Sequence, residues 1–503
     1  MPATEKNLKI PRPPVIAVMG HIDHGKSTLL DFIRKSNTVA KEAGGITQHL
    51  SAYEVVHTTS GGKEQKITFL DTPGHAAFTG MRLRGADVAD IGILVVSAED
   101  GVKAQTLEAL HTLQQKKTPF VVAINKIDRP NANIEKTKGE LAENNVYLEG
   151  YGGEVPFVSI SAKTGEGIPE LLDMLLLVAE LEELSGNPTL PASGIIIESH
   201  VHPKKGISAT LVIKDGTLRS GMFVVAGDAL APVRIMEDFT GKNIKEAIFS
   251  SPVGLLGFNK LPETGSTFTS FGNKKDAEKT SYEFAVKAEI AGTKNTEESN
   301  EKTIVIPLII KTSVLGTIEA ITQEVSKLNT PAVIVKIIHS GVGNITENDI
   351  RAAGGNTNTL IVGFHVTIEA LAKDLAERAL IEVRLFDVIY KLTEWLEEIV
   401  KTRTPKITVE EMRGTAKILK TFSNSKDSQI VGGTVIKGAI GVGETVKILR
   451  HDTPIGEGII IELQQQKLKV KSVDEGNQFG VTVKSKMEIA TGDKLQSFVM
   501  ITT

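Results

Sequence analysis

Gly20-His21-Ile22-Asp23-His24-Gly25-Lys26-Ser27-Thr28 closes the apolar run VIAVMG (15–20) and opens a helical pattern. It fits GxxxxGK[ST], the phosphate-binding loop, in the strand–loop–helix setting that this loop requires. Its glycines let backbone N–H groups turn inward around phosphates, and the following helix N-terminus adds partial positive charge. In that setting Lys26 brings a point charge to the β and γ phosphates, and the Ser27 hydroxyl binds Mg²⁺, with Thr28 beside it among the nucleotide-contacting residues. The i, i+3 spacing of His21 and His24 is compatible with zinc elsewhere, but inside a phosphate loop both are read as shaping the loop.

Three more pieces fall where such a fold needs them. Asp71-Thr72-Pro73-Gly74-His75 ends the run ITFLDT (67–72), which puts Asp71 beside the magnesium and Gly74 near the γ-phosphate. Asn125-Lys126-Ile127-Asp128 ends FVVAIN (120–125), where the Asp128 carboxylate can accept two hydrogen bonds from a guanine edge. A site built around that acceptor rejects adenine, because its desolvation would go unanswered. Ser161-Ala162-Lys163 follows VPFVSI (155–160), and a backbone N–H there is expected to meet the guanine oxygen. Each piece alone is weak, but four in order on alternating strands specify GTP or GDP with Mg²⁺. His75 is read as orienting or polarising the attacking water, the alternative being a surface histidine on a mobile loop.

Working outward, residues 14–185 alternate short apolar runs with helical stretches, the pattern of a mostly parallel α/β sheet covered on both faces. Residues 190–275 turn β-rich, with glycine turns between pieces such as GMFVVAGDALAPVRIM, as in a small antiparallel β-barrel. Residues 276–302 are polar and read as a linker, in part helical. From 303 to 385 three strands alternate with helices at 316–328, 346–354 and 367–378, a second and smaller α/β domain. Val388, Ile389, Leu392, Trp395, Leu396 and Ile399 recur at helical spacing and predict a long connecting helix over 386–404, with Trp395 read as packing. Residues 405–503 return to hairpins and a second β-barrel. Residues 1–13 are read as a short tail.

Bulk properties set limits on these readings. At 503 residues the chain exceeds a single core. No apolar run reaches the roughly 18 residues of a membrane span, and MPATEKNLKIPRPP lacks the apolar core of a secretory signal. Without cysteine there are no disulfides, thiol nucleophiles or thiolate metal sites, which fits a cytoplasmic location. A net charge of −4 argues against a wide nucleic-acid-gripping face, because such faces are basic, and 5% aromatic content argues against a single-strand stacking platform. Any RNA contact is therefore local, or made on a large assembly that also offers protein surface.

GHIDHGKST, DTPGH, NKID and SAK together resemble the translational GTPases. Glu42-Ala43-Gly44-Gly45-Ile46-Thr47-Gln48-His49 narrows the resemblance to bacterial translation initiation factor two, whose first switch reads similarly. SGIIIESHVHPKKGISATLVIKDGTLRSG, HSGVGNITENDI and RGTAKILKTFSNSK are similar to that family's later domains, so the likeness runs from Pro14 through nearly the whole chain. The resemblance implies a P-loop GTPase domain, a β-barrel, a small α/β/α domain, a long helix and a second β-barrel. It implies that Thr47 completes the magnesium shell in the GTP state, that Ile22 and Ile46 form the apolar gate His75 must pass, and that Asp23 helps hold a monovalent cation. It further implies a monomer working with both ribosomal subunits and formylated initiator tRNA.

One stretch departs from the family. A G-Y-E-C-G loop that helps hold the formylmethionyl end is replaced here by Gly476-Asn477-Gln478-Phe479-Gly480. Gln478 is able to hydrogen-bond the 3′ end, and Phe479 is read either as packing on the methionine or as barrel core. Three functions stay open on the sequence. They are an initiation factor whose GTP hydrolysis is activated by the ribosome, an elongation-type aminoacyl-tRNA carrier, and a GTP-dependent ribosome-binding module without initiator selectivity. The α/β segment at 303–385 argues against the second.

Overall fold

The computed structural model describes residues 9–34, 49–202, 205–291, 304–404, 408–424 and 428–502. Two compact units divide the chain, Met1–Arg403 and Thr404–Thr503.

The first unit begins with a six-stranded sheet. Its strands are β1 (Val15–Gly20), β2 (Ser51–Thr58), β3 (Glu64–Asp71), β4 (Ile91–Ser97), β5 (Phe120–Asn125) and β6 (Phe157–Ser159), in the order β2-β3-β1-β4-β5-β6. All pairs are parallel except β2–β3, in which Ser51 sits opposite Asp71. Every residue of β1 and β4 is buried, as expected of parallel strands covered on both sides. Side chains alternate between the faces. Ile16 and Val18 join a core with Leu29 of α1 (Lys26–Arg34) and Leu171 and Leu175 of α5 (Ile168–Leu181). Val15, Ala17 and Met19 join the opposite core, with Ala109 and Leu113 of α3 (Ala104–Lys116). Helices α2 (Thr79–Val88) and α4 (Ile134–Glu143) pack in the same core as α3, through Ala86, Val88 and Leu141.

The second domain is a seven-stranded antiparallel sheet. It contains β7 (Ser193–His202), β8 (Gly206–Asp215), β9 (Phe223–Ala226), β10 (Ala229–Pro232), β11 (Ile235–Asp238), β12 (Pro252–Leu256) and β13 (Thr267–Phe271), ordered β10-β9-β13-β7-β8-β12-β11. It encloses its own core around Ile196, Leu211, Val224, Phe249 and Phe268. The polar segment read as a linker holds the 18-residue helix α6 (Lys274–Ala291), whose Ala277 is buried.

A four-stranded parallel sheet forms the third domain. Its strands are β14 (Ile304–Thr312), β15 (Val333–Val342), β16 (Leu360–Phe364) and β17 (Glu382–Phe386), in the order β15-β14-β16-β17. Helices α7 (Leu315–Lys327), α8 (Glu347–Ala352) and α9 (Ala370–Ala379) connect them. The helix expected as a connector, α10 (Ile389–Arg403), lies on this domain and buries Ile389, Leu392, Leu396 and Val400 against it, with Trp395 packed at the margin of that core. The same core includes Ala77, Phe78 and Met81 of the first domain. A polar junction joins all three domains nearby. Glu198 of β7, only 5% exposed, accepts from the backbone N–H of Ser199 at 3.1 Å and of Gly316 at 3.3 Å. Arg84 of α2 donates to Thr264 and to Glu319 of α7.

The second unit is a closed antiparallel barrel. Its strands β18 (Thr408–Asn424), β19 (Gln429–Gly441), β20 (Thr445–Arg450), β21 (Thr453–Gln465), β22 (Gln478–Ser485) and β23 (Lys494–Thr502) run β18-β23-β20-β21-β22-β19, and β19 pairs back onto β18. Phe479 points into its core with Val431, Leu463 and Val481. Among the described residues no helix is long and apolar enough to cross a membrane.

Candidate active site

Four strand ends of the first sheet meet at one cleft of about 460 Å³. Its walls include Ile22, Asp23, Gly25, Lys26, Ser27 and Thr28 after β1, Gly74 and His75 after β3, Asn125, Lys126 and Asp128 after β5, and Ala162 and Lys163 after β6. Gly20, His21, His24, Asp71 and Ser161 stand behind this surface. The loop itself needs glycine. Gly20 has φ +141° and Gly25 φ +86°, and a Cβ would drive Gly20 into the Val95 carbonyl and Gly25 into the Asn125 amide. A Cβ at Gly74 would strike the Lys26 ammonium. The backbone is thus bared where phosphate oxygens would be cradled.

Lys26, 7% exposed, folds over the loop and donates to the carbonyls of Gly20 at 2.9 Å and His21 at 2.7 Å. Burial lowers its pKa to about 8, against the opposing pull of the Asp71 charge, so it remains a cation at neutral pH. His24 is fully buried, faces the Val95 carbonyl at 3.4 Å and is lowered to about 4 by burial, then by His21. Its ring stands edge-on to that of His21, with centroids 4.9 Å apart. Both rings shape the loop from behind. Asp23 sits in the left-handed region at φ +65°.

Asn125 is 1% exposed and spends both ends of its amide on the protein. Its Nδ2 donates to the His24 carbonyl at 2.8 Å and its Oδ1 accepts from the Ala162 N–H at 2.9 Å. One side chain thereby staples the phosphate loop to the Ser161–Lys163 loop. The Ser161 N–H is likewise taken, by the Glu166 carbonyl. Of the three backbone donors in Ser161–Lys163, the Ala162 N–H is thus engaged across to Asn125 and the Ser161 N–H within its own loop. Asp128 Oδ1 accepts from the Ser161 hydroxyl at 2.8 Å, which holds its carboxyl below the usual range. Lys126, at φ +65°, pairs with Asp100 at 3.0 Å.

His75 caps the short 3-10 turn Ala76–Phe78. Its Nδ1 accepts from the Ala77 N–H at 3.1 Å, so the neutral ring carries its proton on Nε2. Burial lowers its pKa and keeps it neutral near pH 7. Asp71, 7% exposed, and Ser27 offer hard oxygen donors of the kind Mg²⁺ prefers, beside a cradle open to phosphate. Ile46 and Thr47, which the resemblance implies complete the gate and the metal shell, lie outside the described residues, as does most of Glu42–His49.

Family models match the first three domains in order. The Elongation factor Tu GTP binding domain family matches residues 12–180, Elongation factor G domain 2 matches 191–271 and Translation-initiation factor 2 matches 279–397. Translation initiation factor IF-2 of Rubrobacter xylanophilus is 42% identical over 98% of this chain and 72% of its own length. The chain belongs to the translation initiation factor IF-2 family. The family's protein from Bacillus subtilis is 42% identical over 99% of this chain and 70% of its own. A solved structure, GDP-bound aIF5B from Aeropyrum pernix, is 27% identical, with 97% of this chain and 92% of that chain covered at a TM-score of 0.48.

Within this IF-2 framework the structure adds residues that sequence reasoning missed. Arg129 lines the cleft beside Asp128, and its adjacency to the NKID stretch was the available signal. Gln105 of α3 accepts from the Ile22 N–H at 2.9 Å and fixes the loop from across the domain. Arg82, 1% exposed, donates to the Pro73 and His75 carbonyls and contacts Glu108, which locks the turn that carries His75. A buried arginine next to Met81 on α2 leaves no mark in an apolar pattern. In the C-terminal barrel, Gln478, Phe479 and Gly480 line a groove of about 440 Å³ with Lys420, Phe422 and Gln464, while Gly476 forms the turn before it at φ +81°.

Proposed function

We propose that the chain is a GTP-hydrolysing switch of translation initiation. In its GTP form it holds initiator tRNA on the small ribosomal subunit, promotes joining of the large subunit, then cleaves GTP and leaves. The observation that carries this reading is the single cleft in which the phosphate loop, Gly74-His75 and Asp128 converge, tied together by Asn125.

The chemistry is in-line attack of water on the γ-phosphorus, with the bond to the bridging oxygen breaking and the water protons ending on phosphate. The loop N–H groups and the Lys26 ammonium hold the β and γ phosphates and meet the charge that builds between them. Ser27 and Asp71, with Thr47 in the GTP form, are the residues for Mg²⁺, which when bound neutralises phosphate charge. Asp23 offers a carboxylate to a monovalent cation. Asp128 reads the guanine edge. His75 acts by position: with Nδ1 committed to Ala77, it presents an N–H at Nε2. It therefore orients water or a phosphate oxygen rather than removing a proton. Ile22, beside Gly74, and Ile46 gate its approach.

Activation by the ribosome is expected to consist of fixing His75. The test is GTP turnover with and without ribosomes, for the wild type and His75→Ala. The wild type should be slow alone and faster by orders of magnitude with ribosomes, while His75→Ala should keep GTP affinity and lose the stimulation. Equal wild-type rates in both conditions would remove the ribosome from the reading, and unchanged turnover in His75→Ala would remove the histidine.

A second reading, a ribosome-binding GTPase without initiator selectivity, draws on Phe479. Its ring is 5% exposed and belongs mostly to the barrel core, so the groove differs from one built around an open aromatic. Equal affinity for formylated and unformylated initiator tRNA favours that reading.

A further inference from the structure

Beside the nucleotide cleft, the chain that leads into β2 touches the third domain through a pair of imidazoles. His49 Nε2 lies 2.9 Å from His365 Nδ1, with ring centroids 5.0 Å apart. The other nitrogen of His365, Nε2, lies 2.7 Å from the Asp387 carbonyl. A carbonyl only accepts, so His365 Nε2 carries the proton, and in the neutral ring Nδ1 is left as an acceptor. His49 Nε2–H therefore donates. Its own Nδ1 is buried and has no partner among the described residues. In the neutral pair both hydrogen bonds therefore run from His49 through His365 to the Asp387 carbonyl.

His365 is also held in a costly backbone state. Its φ is +53°, in the left-handed region that costs any residue with a Cβ, though histidine enters it more readily than most. Its N–H is tied to the Phe386 carbonyl at 3.0 Å, and its ring stacks on Phe364 at 4.6 Å. Phe364 is fully buried in the core that also contains Ala77, Phe78 and Met81. On the other side, Leu50 is buried in the first domain, and Ser51 pairs with Asp71 across β2 and β3. A continuous mechanical path thus runs from the metal-side carboxylate through Ser51, Leu50 and His49 to His365 and the third-domain core.

We propose that His365 is a positioning residue for the GTPase site: its hydrogen bond from His49 couples the segment entering β2 to the third domain, so that the two nucleotide states differ in whether this bond is made. This inference rests on the GTP-switch reading above. A bond made in one state only contributes a coupling free energy, and by linkage its loss changes the relative affinities of the two nucleotides. The strained backbone of His365 persists because the two ring bonds and the stack hold it.

The test uses the full chain and four variants, His49→Ala, His365→Gly, the double variant and His365→Asn, titrated with GDP and with a non-hydrolysable GTP analogue. Glycine removes the ring at a position whose φ it adopts freely, and asparagine tolerates that φ while returning an acceptor near the Nδ1 position. Each of the first two variants should shift the ratio of the two Kd values by about fivefold or more. The double variant should shift it no further, and His365→Asn should lie within about twofold of wild type. Ratios unchanged in both single variants, or single effects that multiply in the double, would overturn the coupling. A wild-type chain that bound neither nucleotide would instead remove the GTP reading beneath it.

Discussion

Replacing Glu198 by glutamine should stabilise the first unit at pH 8 and change little at pH 5. Glu198 sits where three domains meet, and its pKa is raised from the ordinary 4.5 to about 7. Burial is the main cause, opposed by the Ser199 and Gly316 N–H groups and by Arg84, with Glu319 adding to the rise. The native state therefore holds a proton on this carboxyl that the unfolded chain releases. As pH climbs from about 4.5 to about 7, the unfolded state gains by ionising while the folded state does not, so folding stability falls across that window and then levels off. The difference, at about 1.36 kcal/mol per pKa unit, is roughly 3 kcal/mol when fully developed. Spread over a unit of roughly 400 residues at about 2.1 cal/mol/K per residue, that is a Tm difference of about 3–4 °C. Glutamine keeps the side-chain shape and one oxygen to accept from Gly316, and it carries no charge to desolvate. Thermal melts of wild type and Glu198→Gln should differ by about 1 °C at pH 5 and by the full amount at pH 8, with the variant higher. A wild type that melts above the variant at pH 8 would show that Arg84 and the N-terminus of α7 reward the ionised carboxylate by more than burial costs, and the reasoning would fail.

Other outcomes follow from the cleft. Asn125→Ala unpairs two buried backbone groups, the His24 carbonyl and the Ala162 N–H, at about 1–3 kcal/mol each, so GDP affinity in a fluorescence titration should fall at least tenfold. Lys26→Ala removes the ammonium that neutralises phosphate and should abolish measurable GDP and GTP binding while circular dichroism stays that of the wild type. Asp128→Asn replaces an acceptor by an amide and should lower the preference for guanine over other purine nucleotides about tenfold in competition assays.

Local chemistry was legible in the sequence, and long-range packing was not. The phosphate loop, DTPGH and NKID could be read because each is a short run ending a strand, and strand ends of a parallel sheet lie on one edge. The glycine-punctuated hairpins likewise announced both β-rich regions. The apolar face of α10 was visible as spacing, yet spacing does not say what a face covers, and Ile389, Leu392 and Leu396 pack on the third domain. The insertion of Phe78 and Met81 into that same core joins residues more than 200 positions apart in sequence, beyond any periodicity. Asn125 lines the cleft, but its two internal bonds depend on loops 101 and 37 residues away. Arg82 was invisible because a buried cation on α2 contradicts the hydrophobic pattern by which buried positions are recognised.

That asparagine has a wider consequence. The end of the cleft that grips phosphate and the end that discriminates bases are spaced by one amide, so neither can drift without disturbing the other. A change at Asn125 is therefore felt at three places in the chain at once, its own loop and those of His24 and Ala162. The base-facing carboxylate of Asp128 is held separately, by Ser161, so it can change while the spacing of the loops is kept.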